Sequence, residues 1–186
     1  MKQSPSPSIL ILGKGEIARC LAELAARLHD SVMVCEPDAS KFAWPQNVVI
    51  KETVFSDAPW PLAPHTHAVI ARGHEGDVQS VASLLNQDVS HVYLIASAKR
   101  AQNVIADVEP MLADPTTLTR LSAPAGLDIG GNSSMEIALS ILAEIQLRHY
   151  QKTGHPLTSL REDNSHEDTA RKDKARSNLL CPGKRP

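Results

Sequence analysis

A chain of 186 residues is the size of one domain and is long enough to bury a real core. Its formal charge of −2 and aromatic share of 3% exclude a general attraction to nucleic acid or anionic membrane, and leave few rings for single-stranded bases to stack on. No apolar run approaches the roughly 20 residues of a membrane span, and the three cysteines have no paired spacing, so the expectation is a cytoplasmic protein without disulfides, nucleic acid or membrane.

Residues 1–7 read as a flexible, polar, Pro/Ser-rich arm, and Ile9 to Leu12 behind it is too short for a signal peptide. That apolar run, ended by Gly13-Lys14-Gly15, predicts a buried parallel strand. Ile17, Leu21, Leu24, Ala25 and Leu28 then recur at helical spacing. Strand, glycine turn and helix give meaning to the G-x-G-x-x-A pattern of Gly13, Gly15 and Ala18. In such a turn the first glycine permits the bend and the second lets a phosphate approach bare backbone. The third position must be small for helix to pack on strand. Free N–H groups and the helix dipole favour an anion there.

Ser31 to Glu36 predicts a second strand, apolar on both faces. Glu36 falls about 20 residues after the glycine turn, where a dinucleotide fold places an acid against the ribose 2′-OH. The plain alternative is an acid at an exposed strand end. Asn47 to Lys51 is a third strand. Three prolines between Glu52 and His67 preclude a long helix, so an irregular connection is expected. Ala68 to Ala71 is a fourth strand, capped by Arg72-Gly73-His74-Glu75-Gly76-Asp77, and a helix follows from Val78 to Leu85. His91 to Ser97 is a fifth strand that runs into Ala98-Lys99-Arg100 and a helix to about Met111. Thr119 to Ala123 is a weak sixth, before the glycine-rich loop from Pro124 to Gly131. Ser133 and Glu136 have capping-box spacing ahead of a helix carrying Ile137, Ile141, Leu142 and Ile145. Cys20 and Cys35, on a helix and a strand, are expected to be buried. The chain thus divides into the arm, a Rossmann-like domain over 8–150, and a tail over 151–186. That tail carries 8 Lys/Arg against 5 Asp/Glu and too little apolar surface to order itself, so it is expected to be mostly disordered.

Alternating strands and helices predict an α/β single domain, a doubly wound parallel sheet of order 3-2-1-4-5 with a sixth strand left open. The order reverses between strands 1 and 4, and ligands bind outside the carboxyl ends at such a point. Gly13-Lys14-Gly15, Arg72-Gly73-His74 and Ser97-Ala98-Lys99-Arg100 would converge there. The set suits an anionic, phosphate-bearing ligand, with Lys99 and Arg100 as ion-pair candidates; the alternative is a basic, exposed helix start. His74 can exchange a proton near neutrality or be an ordinary loop histidine. Asp128 reads as a turn residue. His65-Thr66-His67 has ligand spacing but no third ligand, so no metal is expected. No catalytic residue can be assigned, and hydrolase chemistry has no G-x-S-x-G elbow to support it.

Three blocks resemble the C-terminal Rossmann domain of the XdhC/CoxF-type proteins, the xanthine dehydrogenase accessory factors. They are ILGKGEIA, the ARGHEGD run ending at Asp77, and IASAKRAQNV joined at a distance to APAGLDIGGNSSMEIALSILAEI. The last is the most specific, and the resemblance covers residues 8 to 148. It implies a protein that binds the molybdenum cofactor (molybdopterin) or NAD(P) and assists maturation of a xanthine dehydrogenase-like or carbon monoxide dehydrogenase hydroxylase. By motif it carries over Gly13, Gly15, Arg72, His74, Asp77, Ser97, Lys99, Arg100, Gly126, Asp128 and Gly130; Lys14, Glu36 and Gly73 join them from the residue reading. Ala96 stands where the family motif has glycine. The family's N-terminal domain is not matched, so a separate partner supplying it is among the expectations, as is a molybdenum hydroxylase client. A homo-oligomer is left open, and the alternative functions are an NAD(P)-dependent oxidoreductase and a nucleotide-sensing regulatory module.

Overall fold

The structure is a computed structural model that describes residues 6–53, 62–63, 65–73 and 76–158. It is a six-stranded, wholly parallel sheet in the order β3-β2-β1-β4-β5-β6. The central strand β1 (Ser8–Leu12) pairs with β2 (Val32–Cys35) on one side and β4 (Thr66–Ile70) on the other. β3 (Val48–Lys51) forms one edge. Beyond β4 come β5 (His91–Leu94) and the two-residue β6 (Leu121–Ser122). The sheet therefore reverses between β1 and β4, as expected, and the open sixth strand is present at the edge.

Parallel strands need helical crossovers, and these cover both faces. The consequence for β1 is that every apolar residue finds a core. Ile9 and Ile11 pack with α1 (Glu16–Leu28) and α4 (Ser134–His149) on one face. Leu10 and Leu12 pack with α2 (Asp77–Leu85) and α3 (Ala98–Val108) on the other. Alternation along a strand, with both sides buried, is what makes the run Ile9 to Leu12 continuously apolar.

Element ends differ from expectation where side chains compete with the sheet. β4 begins at Thr66, two residues before Ala68, and takes His67 into the core at 2% exposure. β6 is shortened because Pro115–Arg120 winds into a 3-10 turn, with the Asp114 carboxylate accepting the Thr116 N–H at 2.9 Å. The capping box at α4 forms as expected: the Ser133 hydroxyl accepts the Glu136 N–H and the Glu136 carboxylate accepts the Ser133 N–H. Cys35 is buried, and desolvation pushes its thiol pKa up to about 11, whereas Cys20 is only half-buried. Most of the expected irregular connection, 54–61 and 64, lies outside the described residues, as do the arm over 1–5, Cys181 and the tail from 159 onward. The chain divides into two units at Gln151, and residues 152–158 of the second are exposed.

Candidate functional site

The carboxyl end of β1 turns through Gly13 at φ +139°. A Cβ on Gly13 would lie 2.7 Å from the carbonyl carbon of Ala71. The cause is the tight β1–β4 junction, where the Ala71 N–H donates to the Leu12 carbonyl at 2.7 Å. Gly13 is therefore glycine for the fold. Gly15 differs. Its φ of −68° suits any residue, and a Cβ there would meet no protein atom within 4 Å. It is also the N-cap of α1 and has no side chain to satisfy the first-turn N–H groups. Ala18, the small third position, is fully buried against the sheet.

The free space over Gly15 belongs to a cavity of about 300 Å³. The start of α1 supplies one wall through Gly15, Glu16 and Ile17. Ala71 and Gly73 after β4, Ile95 after β5 and Ser134 at the start of α4 also line it. Two helix N-termini thus meet at one cavity with apolar flanks. Both place partial positive charge there.

The charged side chains read from the sequence are mostly engaged by protein partners. The Lys14 ammonium donates to the Pro37 carbonyl at 2.9 Å. The Arg72 Nε donates to the Glu36 carboxylate at 2.8 Å, and another Arg72 nitrogen donates to the Ser80 hydroxyl at 3.1 Å. Arg100 pairs with Asp77 at 2.6 Å, and Asp77 is 1% exposed. This pair joins the starts of α2 and α3 and leaves one Asp77 oxygen and the Arg100 Nε without a hydrogen bond. Ser97 caps α3 by accepting the Arg100 N–H at 3.4 Å. Lys99 and Asp128 are not among the cavity's walls, and Lys99 is exposed. Of the expected residues, the fold brings Gly15 and Gly73 to the cavity; Ser97 and Arg100 do not line it. His74 and Glu75 lie outside the described residues.

The amino-terminal end of the sheet holds a polar network that the sequence reading missed. The Glu144 carboxylate, 6% exposed, accepts from the Ser122 hydroxyl at 2.5 Å, the Arg148 Nε at 2.8 Å and the Gly126 N–H at 2.8 Å. Burial works to raise its pKa, but these three donors outweigh burial and hold it below the usual carboxylate range. The Ser122 proton is committed to Glu144, so His91 donates from Nε2 to the Ser122 oxygen at 2.8 Å. Desolvation, helped by the nearby Arg148 charge, lowers His91 to about 4. His67, which contacts the Tyr93 hydroxyl at 3.0 Å and His149 at 3.3 Å, is lowered to about 3 by desolvation first and His149 next. One available signal was Glu144 itself, an acid three residues after Ile141 on the apolar side of its helix.

A sequence profile described as the XdhC Rossmann domain matches residues 9–145. The chain belongs to that family. The XdhC Rossmann match runs from β1 into α4 and so takes in the glycine turn and every described residue that lines the cavity. Among relatives, the chain is 27% identical over 145 residues to the uncharacterized protein YqeB of Escherichia coli (strain K12), covering 75% of this chain and 27% of that protein. It is 28% identical over 155 residues to a probable xanthine dehydrogenase subunit of Bacillus subtilis (strain 168), covering 76% of this chain and 42% of that one. The chain thus spans less than half the length of these relatives. A crystal structure described as a xanthine dehydrogenase from Bacillus halodurans shares the fold, with a TM-score of 0.65, 19% identity, and coverage of 80% of this chain and 44% of the other.

Proposed function

We propose that this XdhC Rossmann domain binds a phosphate-bearing cofactor at the start of α1 and assists maturation of a molybdenum hydroxylase of the xanthine dehydrogenase type. The observation that carries the reading is the uncapped first turn of α1 opening onto the cavity over Gly15. Bare N–H groups at a helix start are donors for phosphate oxygens. Ile17, Ala71 and Ile95 offer apolar surface to a flat ring system attached to that phosphate. Both the molybdenum cofactor and NAD(P) carry such a phosphate, and the residues present fit that shared group. The molybdenum cofactor would supply oxygen-transfer chemistry to the client enzyme, not to this chain. The residues of this chain hold and orient the cofactor through its phosphate.

The test has two parts. Mass spectrometry of small molecules released from the purified protein should find a phosphate ester, and the melting temperature should rise with NAD(H), NADP(H) or extracted molybdopterin. Adding the protein to immature xanthine dehydrogenase-type enzyme should raise its active fraction. No co-purifying phosphate ester and no thermal shift with any of the three refutes the binding; binding without any gain in enzyme activation refutes the accessory role.

A further inference from the structure

Glu36 and Arg72 follow β2 and β4, and β1 lies between those strands. An ion pair joining them must cross the carboxyl end of β1. That is the position where a dinucleotide fold seats the adenosine ribose, with the acid after β2 accepting from its hydroxyl. Here one oxygen of the acid is already held by Arg72. The pair is 2.8 Å long and its side chains are only 10% (Arg72) and 15% (Glu36) exposed. Arg72 is held a second time by the hydroxyl of buried Ser80. Lys14, after β1, adds a tie on the β2 side by donating to the Pro37 carbonyl. We infer that this Glu36–Arg72 latch closes the β2 side of the crevice and makes the site selective for a compact ligand carrying one phosphate on a heterocycle, against dinucleotides.

Two further observations agree with the latch. The open cavity lies on the other side of Gly15, toward β4, β5 and the start of α4, and neither Glu36 nor Arg72 lines it. Its volume of about 300 Å³ is at the small end of ligand pockets. To bind at Glu36, an adenosine hydroxyl must reach a carboxylate that is only 15% exposed and whose charge Arg72 already neutralises through one oxygen. A 2′-phosphate meets an arginine already neutralised, with a carboxylate beside it.

The inference rests on the phosphate-binding reading above, and calorimetry of the full chain separates the two. The probes are AMP, nicotinamide mononucleotide, NAD⁺ and NADP⁺. The latch predicts that the better mononucleotide binds, that NAD⁺ binds no tighter than it, and that NADP⁺ shows no advantage over NAD⁺. In the charge-neutral double variant Glu36→Ala/Arg72→Ala, NAD⁺ affinity relative to AMP should rise about ten-fold. NAD⁺ tighter than both mononucleotides overturns the latch alone, and a ratio that falls in the double variant makes Glu36 a ribose acceptor. Preference for NADP⁺ makes Arg72 a phosphate partner and overturns it too. If no probe binds, the latch falls together with nucleotide binding at this site. Should the double variant not fold, the wild-type ratios decide by themselves.

Discussion

Gly13 and Gly15 stand two residues apart in one turn, yet the physics that keeps each a glycine differs. At Gly13 both the positive φ and the Ala71 carbonyl exclude a side chain. Gly13→Ala should therefore lower stability by roughly 3 kcal/mol, combining a strained backbone with a forced shift of β4. At Gly15 the backbone is ordinary and the space is free of protein. Gly15→Ala should cost no more than about 1 kcal/mol, the difference between glycine and alanine as an N-cap, and should still weaken phosphate binding at least about ten-fold by filling the approach to bare backbone. Urea denaturation and ligand titration of both variants check this; a Gly15 variant less stable than the Gly13 variant would contradict it. The G-x-G-x-x-A spacing was legible because it is local. The occupation of Lys14, Glu36, Arg72 and Arg100 by protein partners was not, because those partners lie on other elements, 23 or 36 residues away in sequence.

At the scale of one element, α4 lines the cavity at its start and anchors the fold at its end. Its capping box brings Ser134 to the cavity, and its last turns place Glu144, Gln146, Arg148 and His149 against the amino-terminal end of the sheet. Gln146 reaches the His29 ring at 3.0 Å after α1, so the helix is tied to α1, β4, β6 and the Gly126 loop. Gly126, at φ +104°, has no room for a side chain because the Ser140 hydroxyl would lie 2.5 Å from it. Glu144→Ala strands three donors and should destabilise the fold by about 3 kcal/mol. Glu136→Ala, which removes half of an exposed capping box, should cost only about 1 kcal/mol. Chemical denaturation of the two variants tests the ranking, and equal losses would mean Glu144 is not the anchor. The helix and its cap were readable from sequence. Glu144 was not, since an acid beside an apolar stripe reads as solvated until a sheet edge is known to face it.

For the whole molecule, two buried histidines resist protonation because burial penalises their charged form. His67 at about 3 and His91 at about 4 lie below the ordinary histidine value of 6.5. The unfolded chain binds those protons first, so stability is full above about pH 7 and falls as the pH drops below 6.5 toward the folded values. Glu144, depressed in the folded state, adds a loss of the same sign once the pH passes below the ordinary carboxylate range. Between about pH 7.5 and pH 5.5 the two histidines together should cost about 2 kcal/mol. Urea midpoints at the two pH values measure it. A flat profile would mean these rings are solvated in the folded protein.

The amino-acid sequence by itself determined the α/β class and the glycine turn, which rest on periodicity or spacing within a short window; the strand order followed from the handedness of crossovers, and the family from the resemblance of three motif blocks. Only the tertiary structure decided which expected site residues face a shared cavity and which are spent on one another. Ion pairs such as Glu36–Arg72 and Asp77–Arg100, and the wall that α4 lends to the cavity, come from crossovers that set distant residues side by side. No local pattern encodes that proximity; the packing of both helical layers on one parallel sheet creates it.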